Sequence, residues 1–281
     1  MIPEKYLESL IERAYKEDVG TGDHSSLCCI NADQFGKAIL IAKQDGIIAG
    51  VDVAAQVCKY FSPDLKLDVF IQDGAVIKPG DHVLEISGSQ LGILTSERTM
   101  LNFMQRMSGI ATETHYYVQL LDGLKTKVLD TRKTTPGLRL IEKEAVRIGG
   151  GANHRIGLYD MIMLKDNHID FSGSIEKAVQ LANKYIKDKS LDIRIEIETR
   201  SIEDVVEVMR VGGVHRIMLD NFNIHDTRIA VEIIAGKYET ESSGGITFDT
   251  IRHYAECGVD FVSVGALTHQ IKSLDLSLKA V

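Results

Sequence analysis

DIRIEIETRSIEDVVEVMRVGGVHRIMLDN, residues 192–221, contains one complete strand–helix–strand step. Over 192–198 Ile193, Ile195 and Ile197 alternate with Arg194, Glu196 and Glu198, so the three charged side chains share one face of a strand. SIEDVVEVMRVG (201–212) then carries apolar residues at helical spacing, and RIMLD (216–220) is a second short strand ending on Asp220. Two short strands joined by a helix read as a parallel pair with a right-handed crossover.

The step repeats outward in both directions. TKVLD (126–130), MIML (161–164), YETESSG (238–244) and DFVSVG (260–265) read as further strands, and 174–186, 224–234 and 247–258 as the helices between them. So many consecutive βα units predict an α/β barrel or an open relative of one. The N-terminal part is different. Helices are expected over 3–17 and 51–60, strands over 37–50, 65–74 and 81–89, and one long or two abutting helices over 95–121. DGAVIKPGDHVLEIS (73–87) has the rhythm of a biotinyl or lipoyl hairpin but lacks a lysine at its turn, and reads as a plain hairpin.

Strand ends carry the chemistry. One ends at Asp130-Thr131-Arg132-Lys133, the next at Lys165, the next at Glu196 and Glu198, then Asp220, Ser243-Gly244-Gly245 and Gly265. The carboxyl ends of barrel strands build active sites. Arg132, Lys133, His154, Arg155 and Lys165 form a cationic set suited to carboxylates, which arginine reads bidentately. Glu196, Glu198 and Asp220 suit Mg²⁺ shared with a substrate phosphate, or else internal ion pairs with Arg194 or Lys165. The small-residue turns at 241–245 and 263–266 suit a phosphate cradle of backbone N–H groups.

Bulk properties restrict the partners. The net charge of −8 argues against nucleic acid, yet residues 98–168 hold eleven Lys/Arg against seven Asp/Glu, a cationic centre in an acidic chain. No apolar run approaches the ~20 residues of a membrane span, and the N-terminus reads as an amphipathic helix without the marks of a secretion signal. Four cysteines without metal-ligand spacing read as reduced thiols of a cytoplasmic protein.

Longer motifs add a resemblance. EDVGTGDHSS (17–26), ERTMLNFMQRMSGIAT (97–112), LDTRKTTPGLR (129–139), GGGANHRIGLYD (149–160), MLKDNHI (163–169), MLDNF (218–222), SSGGI (242–246) and SVGALTH (263–269) stand in order along the chain. Through them the sequence resembles the quinolinate phosphoribosyltransferase family, the decarboxylating enzymes of NAD biosynthesis. The resemblance implies an N-terminal α/β sandwich domain over 1–110, an open α/β barrel with parallel strands over 111–269, and a tail, 270–281, returning to the first domain. It implies transfer of phosphoribosyl from phosphoribosyl pyrophosphate to quinolinate, giving nicotinate mononucleotide, pyrophosphate and CO₂.

Carried over by position, Arg132, Lys133, His154, Arg155 and Lys165 would surround quinolinate, joined by Arg98 from the neighbouring subunit of a homodimer. Whether dimers assemble further into hexamers stays open. Lys133, Lys165, Glu198 and Asp220 would be the catalytic group and would face phosphoribosyl pyrophosphate. Ser243, Gly244, Gly245 and Gly265 would hold its 5-phosphate, and Mg²⁺ would sit near Glu198 and Asp220, directly or through substrate phosphates. Which of Glu196 and Glu198 faces the ribose is open. The rival readings are a related enzyme acting on nicotinate, an aldolase-like barrel with Lys165 as a Schiff base, and a phosphate-binding module without catalysis.

Overall fold

The computed structural model describes residues 2–281. Two compact units emerge, and they are not two contiguous segments: residues up to 115, 134–150 and 267–281 form the first, and 116–133 with 151–266 form the second.

The first unit begins with helices α1 (Glu4–Val19) and α2 (His24–Cys29), followed by strands β1 (Phe35–Ala42) and β2 (Gly46–Ile47) and helix α3 (Val51–Phe61). Strands β3 (Lys66–Val69), β4 (Val76–Ile77) and β5 (His82–Ser89) lead into the long helix α4 (Gln90–Leu120), which continues into the second unit. Met100, Leu101, Met104, Met107 and Ile110 make a buried stripe along α4 at the spacing of one helical face. Hydroxyls on that stripe also do polar work: Thr112 Oγ1 accepts the Ile47 N–H and Ser108 Oγ the Ala49 N–H, at 2.8 and 2.9 Å. The expected hairpin over 73–87 does not form. Val76–Ile77 pairs with Gly46–Ile47, whereas β5 pairs with β1 and β3. The Pro-Gly turn exists, but it joins strands of two different ladders.

The second unit is the open barrel. Its strands are β6 (Lys127–Leu129) and, beyond helix α5 (Arg139–Ile148), which belongs to the first unit, β7 (Met161–Leu164). Helices α6 (Asp166–Ser172) and α7 (Ile175–Lys189) precede β8 (Arg194–Thr199), α8 (Ile202–Val211) and β9 (Arg216–Asp220). Then come α9 (Ile224–Ile234), β10 (Glu239–Ser243), α10 (Ile251–Ala255), β11 (Phe261–Ser263) and α11 (Ala266–His269). All six strands are parallel in the order β6-β11-β10-β9-β8-β7, so β7 to β11 pair with their sequence neighbours and β11 returns to β6. Among the described residues no ladder joins β6 to β7, and there the barrel stays open.

Three helices of the barrel are capped by side chains of the favoured type. Ser174, Ser201 and Asn223 accept the N–H three residues on, opening α7, α8 and α9. Such a cap contributes about 1 kcal/mol. Ile195, Ile197, Ile217, Leu219 and Val262 on the outer sheet face are fully buried under helices. The last strand, β12 (Leu276–Ala280), pairs antiparallel with β1 in the first unit, giving a four-stranded sheet β12-β1-β5-β3.

Candidate active site

Strand register decides which side chains meet. Glu196 lies opposite Arg216, Arg216 opposite Glu239, Met218 between Glu198 and Glu241, and Asp220 opposite Ser243. With a period of two, all of these point to the inner face of the barrel. On that face Glu196, Arg216, Glu241 and Glu198 are buried, while Glu239 below them and Asp220 at the carboxyl end are partly accessible.

At the rim, Arg132 and Lys133 are exposed on the loop after β6, where Thr131 Oγ1 accepts the Lys133 N–H at 3.0 Å. Arg155 is buried, and its Nη1 donates to the Met161 carbonyl at 3.3 Å. Burial lowers its affinity for its own proton, and the like charge of Arg132 lowers it further. The charges of Glu196 and Asp160 act in the opposite direction. Lys165 closes the group: its Nζ lies 3.1 Å from Glu198 Oε2. Arg98 is exposed on α4 in the first unit.

The two glutamates left open by the sequence separate cleanly. Glu198 belongs to the rim with Lys165, while Glu196 lies below it, fully buried, with His154 Nε2 at 2.9 Å. Glu241, also fully buried, places Oε2 at 3.4 Å from the same nitrogen and 2.9 Å from Arg216 Nη1. Arg216 in turn reaches Glu239 at 3.1 Å and stacks over Phe261 at 4.1 Å. Internal pairing, one of the two roles the sequence allowed for the acids, is therefore what Glu196 does. Burial and the neighbouring charge of Glu241 push its carboxyl up to about 7, against the pull of His154 and Arg216. Burial opposes a charged His154, but both glutamates outweigh it and push the ring up to about 9.

Arg216 and Glu241 are functional candidates that sequence reasoning missed. Their signal was present: RIMLD and ETESS alternate as RIEIE does, and the same face rule applied to them places Arg216 and Glu241 beside Glu196. Asp130 is fully buried and accepts the His154 N–H at 2.8 Å and Asn153 Nδ2 at 2.6 Å, tying the turn after α5 to the end of β6.

On the far side of the rim, Asp220 Oδ2 accepts from Asn221 Nδ2 at 2.7 Å, and the Asn221 N–H donates to the Ser243 carbonyl at 2.8 Å. Gly244 has φ +96°, and a Cβ there would stand 2.2 Å from Asn221 Oδ1. That turn requires glycine twice over, for its backbone and for its neighbour. Gly245, at φ +59°, meets nothing within 4 Å.

Of the two acids the sequence offered to a metal, Glu198 faces Lys165 and Asp220 accepts from Asn221.

Residues 110–279 match the family described as quinolinate phosphoribosyl transferase, C-terminal domain, and residues 23–108 match its N-terminal domain. The chain belongs to the quinolinate phosphoribosyltransferase family. It is 43% identical over 288 residues to a chloroplastic nicotinate-nucleotide pyrophosphorylase (carboxylating) of Arabidopsis thaliana, covering 97% of this chain and 82% of that one. It is 41% identical to a mitochondrial quinolinate phosphoribosyltransferase (decarboxylating) of Nicotiana glauca, with the same shares covered. Among solved structures, NadC from Streptococcus pyogenes superposes with a TM-score of 0.94 at 40% identity, over 100% of this chain and 99% of that one. The nicotinate-nucleotide pyrophosphorylase of Francisella tularensis gives 0.93 at 38%, over 100% and 98%. Like these family structures, the chain combines an antiparallel-sheet first unit with a parallel open barrel.

Proposed function

We propose that this chain transfers the phosphoribosyl group of phosphoribosyl pyrophosphate to quinolinate, with release of pyrophosphate and CO₂, to give nicotinate mononucleotide. The observation that carries the reading is buried Arg155 beside Arg132, next in the chain to Lys133 and on the strand-end rim that carries Lys165: a cationic set whose repulsion a small dicarboxylate relieves. In this reading Arg132, Arg155, Lys133 and Lys165 hold the two carboxylates, with His154 beneath them. Arg98 of a second copy completes the site, making a homodimer the working unit.

Lys133 and Lys165 also face the departing pyrophosphate, whose negative charge they stabilise. Glu198 and Asp220 face the ribose as its anomeric carbon gains positive character. The pyridine nitrogen attacks once both substrates are held in line. Its quaternised ring then accepts the electron pair left when the adjacent carboxylate leaves as CO₂, and C2 takes up a proton. Ser243, Gly244, Gly245 and Gly265 cradle the 5-phosphate. Glu198 and Asp220 would hold Mg²⁺ together with substrate oxygens, and the ion would supply charge neutralisation on the pyrophosphate.

No helix among the described residues is long and apolar enough to cross a membrane. We place the work in the cytoplasm, in keeping with four free thiols.

The test is purified protein with quinolinate, phosphoribosyl pyrophosphate and Mg²⁺, following nicotinate mononucleotide and CO₂ together. Both products are expected, and removal of the metal by chelation is expected to lower turnover at least about 100-fold, with recovery on adding Mg²⁺. Turnover of nicotinate with none of quinolinate would overturn the reading. The cradle has its own test. Gly244→Ala is expected to raise KM for phosphoribosyl pyrophosphate by about tenfold or more, because a Cβ displaces Asn221 beside Asp220. Gly245→Ala, strained at its φ but unobstructed, is expected to change it by less than about threefold. Equal effects would remove the Asn221 contact from the explanation.

A further inference from the structure

We infer that Cys28 and Cys29 form a two-thiol capture site for monosubstituted trivalent arsenicals, which the pair chelates in preference to closing into a disulfide. No part of this rests on the substrate reading above.

Both residues lie at the end of the short helix α2 and are exposed, whereas Cys58 and Cys257 are buried. Neighbours along a helix ordinarily face apart. Here the two Sγ atoms lie 3.4 Å from one another. Cys28 Sγ donates to the Ser25 carbonyl at 3.2 Å, which leaves Cys29 as the donor between the two sulfurs. That bond holds the Cys29 proton more tightly than usual, so its sulfur rests as a thiol. The helix around the pair is secured: Asp23 caps it by accepting the Ser26 N–H at 3.0 Å, and extended Ile30 follows its last residue.

A disulfide fits this place badly. The peptide between the two residues is trans, so their Cα atoms stand about 3.8 Å apart. A relaxed bridge needs roughly 4.4–6.8 Å. The sulfurs would also have to close by about 1.4 Å. A single atom placed between them asks for far less. With bonds of about 2.3 Å to each sulfur and an angle of about 90–109°, it holds them about 3.3–3.7 Å apart. That is the spacing already present.

The donors nearby decide which atom it is. A closed Zn²⁺ site needs four ligands. Among the described residues, the one group of three or more His, Cys, Asp or Glu side chains lies elsewhere, at His154, Glu196 and Glu241. Two thiols alone complete a trivalent arsenic that already carries one carbon substituent. The step balances without a redox partner. An arsenoxide, R–As=O, takes both S–H hydrogens, its oxygen leaves as water, and two As–S bonds form with arsenic still trivalent.

The test treats the whole reduced protein with phenylarsine oxide and weighs it intact. One phenylarsenic group per chain is expected, with loss of two thiol hydrogens. Thiols that maleimide reaches in the folded protein are expected to fall from two to none. 2,3-Dimercaptopropanol should strip the adduct, and an excess of 2-mercaptoethanol should not. Cys28→Ser and Cys29→Ser are each expected to weaken capture roughly 100-fold or more, because the second As–S bond forms within one molecule. Both side chains are exposed, so the fold should survive either change. Undiminished capture by either variant overturns the inference, and so does a wild type whose two reactive thiols outlast the arsenical. Oxidised glutathione tests the preference itself: a pair that stays reduced at equal concentrations supports chelation, and a Cys28–Cys29 disulfide overturns it.

Discussion

Arg155→Ala is expected to lower kcat/KM for quinolinate by roughly 10²- to 10³-fold, the loss typical when one partner of a buried charge pair is truncated. The size follows from where the guanidinium sits. Arg155 is buried and carries the repulsion of Arg132, so an incoming carboxylate meets a cation that water solvates poorly and that gains much from a partner. Without it, one carboxylate enters a desolvated place with no counter-charge. Arg155→Lys should recover little, because a point charge on a flexible stem does not replace a planar fork.

Stability should move the other way or not at all. Removing one of two mutually repelling cations relieves the free protein, so the thermal midpoint is expected to hold or rise by a few degrees, as at sites where function is kept at the cost of stability. Lys165→Ala is expected to lose most activity too, with the fold intact, since its side chain is half exposed and its departure leaves no void. Turnover of Arg155→Ala near that of the wild type, measured alongside melting, would take Arg155 out of the site.

The barrel was legible because one rule generates it. Short strands of apolar residues and the helices between them repeat from 126 to 265, and from β7 onward consecutive strands pair as neighbours, while β6 pairs with β11. Helix α5 was passed over although Ile141, Ala145 and Val146 recur at helical spacing; it buries Glu142 and Lys143 beside them. The false hairpin at 73–87 came from the opposite error: the local turn signal was correct, but strand pairing is decided by partners far along the chain, here Gly46–Ile47.

For the site, position on the rim was readable and depth was not. Glu196 and Glu198 point the same way along β8, and no property of RIEIET says that one of them ends up in a sealed ion cluster and the other beside a lysine. The answer depends on His154 and Glu241, brought in by a turn 42 residues upstream of Glu196 and a strand 45 residues downstream. His154 itself was read as a cation for carboxylates, a reading that charge and spacing allow. Its Nδ1 faces the Arg155 N–H at 2.7 Å, and its Nε2 lies 2.9 Å from Glu196 Oε2.

Stability should depend most on a pair within the first unit that takes no part in chemistry. Glu142 is fully buried, its Oε1 accepts both Nε and Nη2 of Arg106, and its Oε2 accepts the Thr135 N–H at 3.0 Å. Arg106 Nη2 also reaches Thr135 Oγ1 at 2.6 Å. Arg106→Ala leaves a sealed carboxylate without its cation, a change that costs about 3–5 kcal/mol. For a chain of this size that corresponds to a fall in the calorimetric midpoint of roughly 10 °C. The damage comes from the stranded charge more than from a lost attraction, and a second substitution shows the difference. Arg106→Met with Glu142→Leu removes both charges and fills the volume, so it should melt well above Arg106→Ala. It should still fall short of the wild type, because the Thr135 N–H has then lost its acceptor. A single variant within about 2 °C of the wild type would show that water reaches Glu142 and that the pair is not sealed.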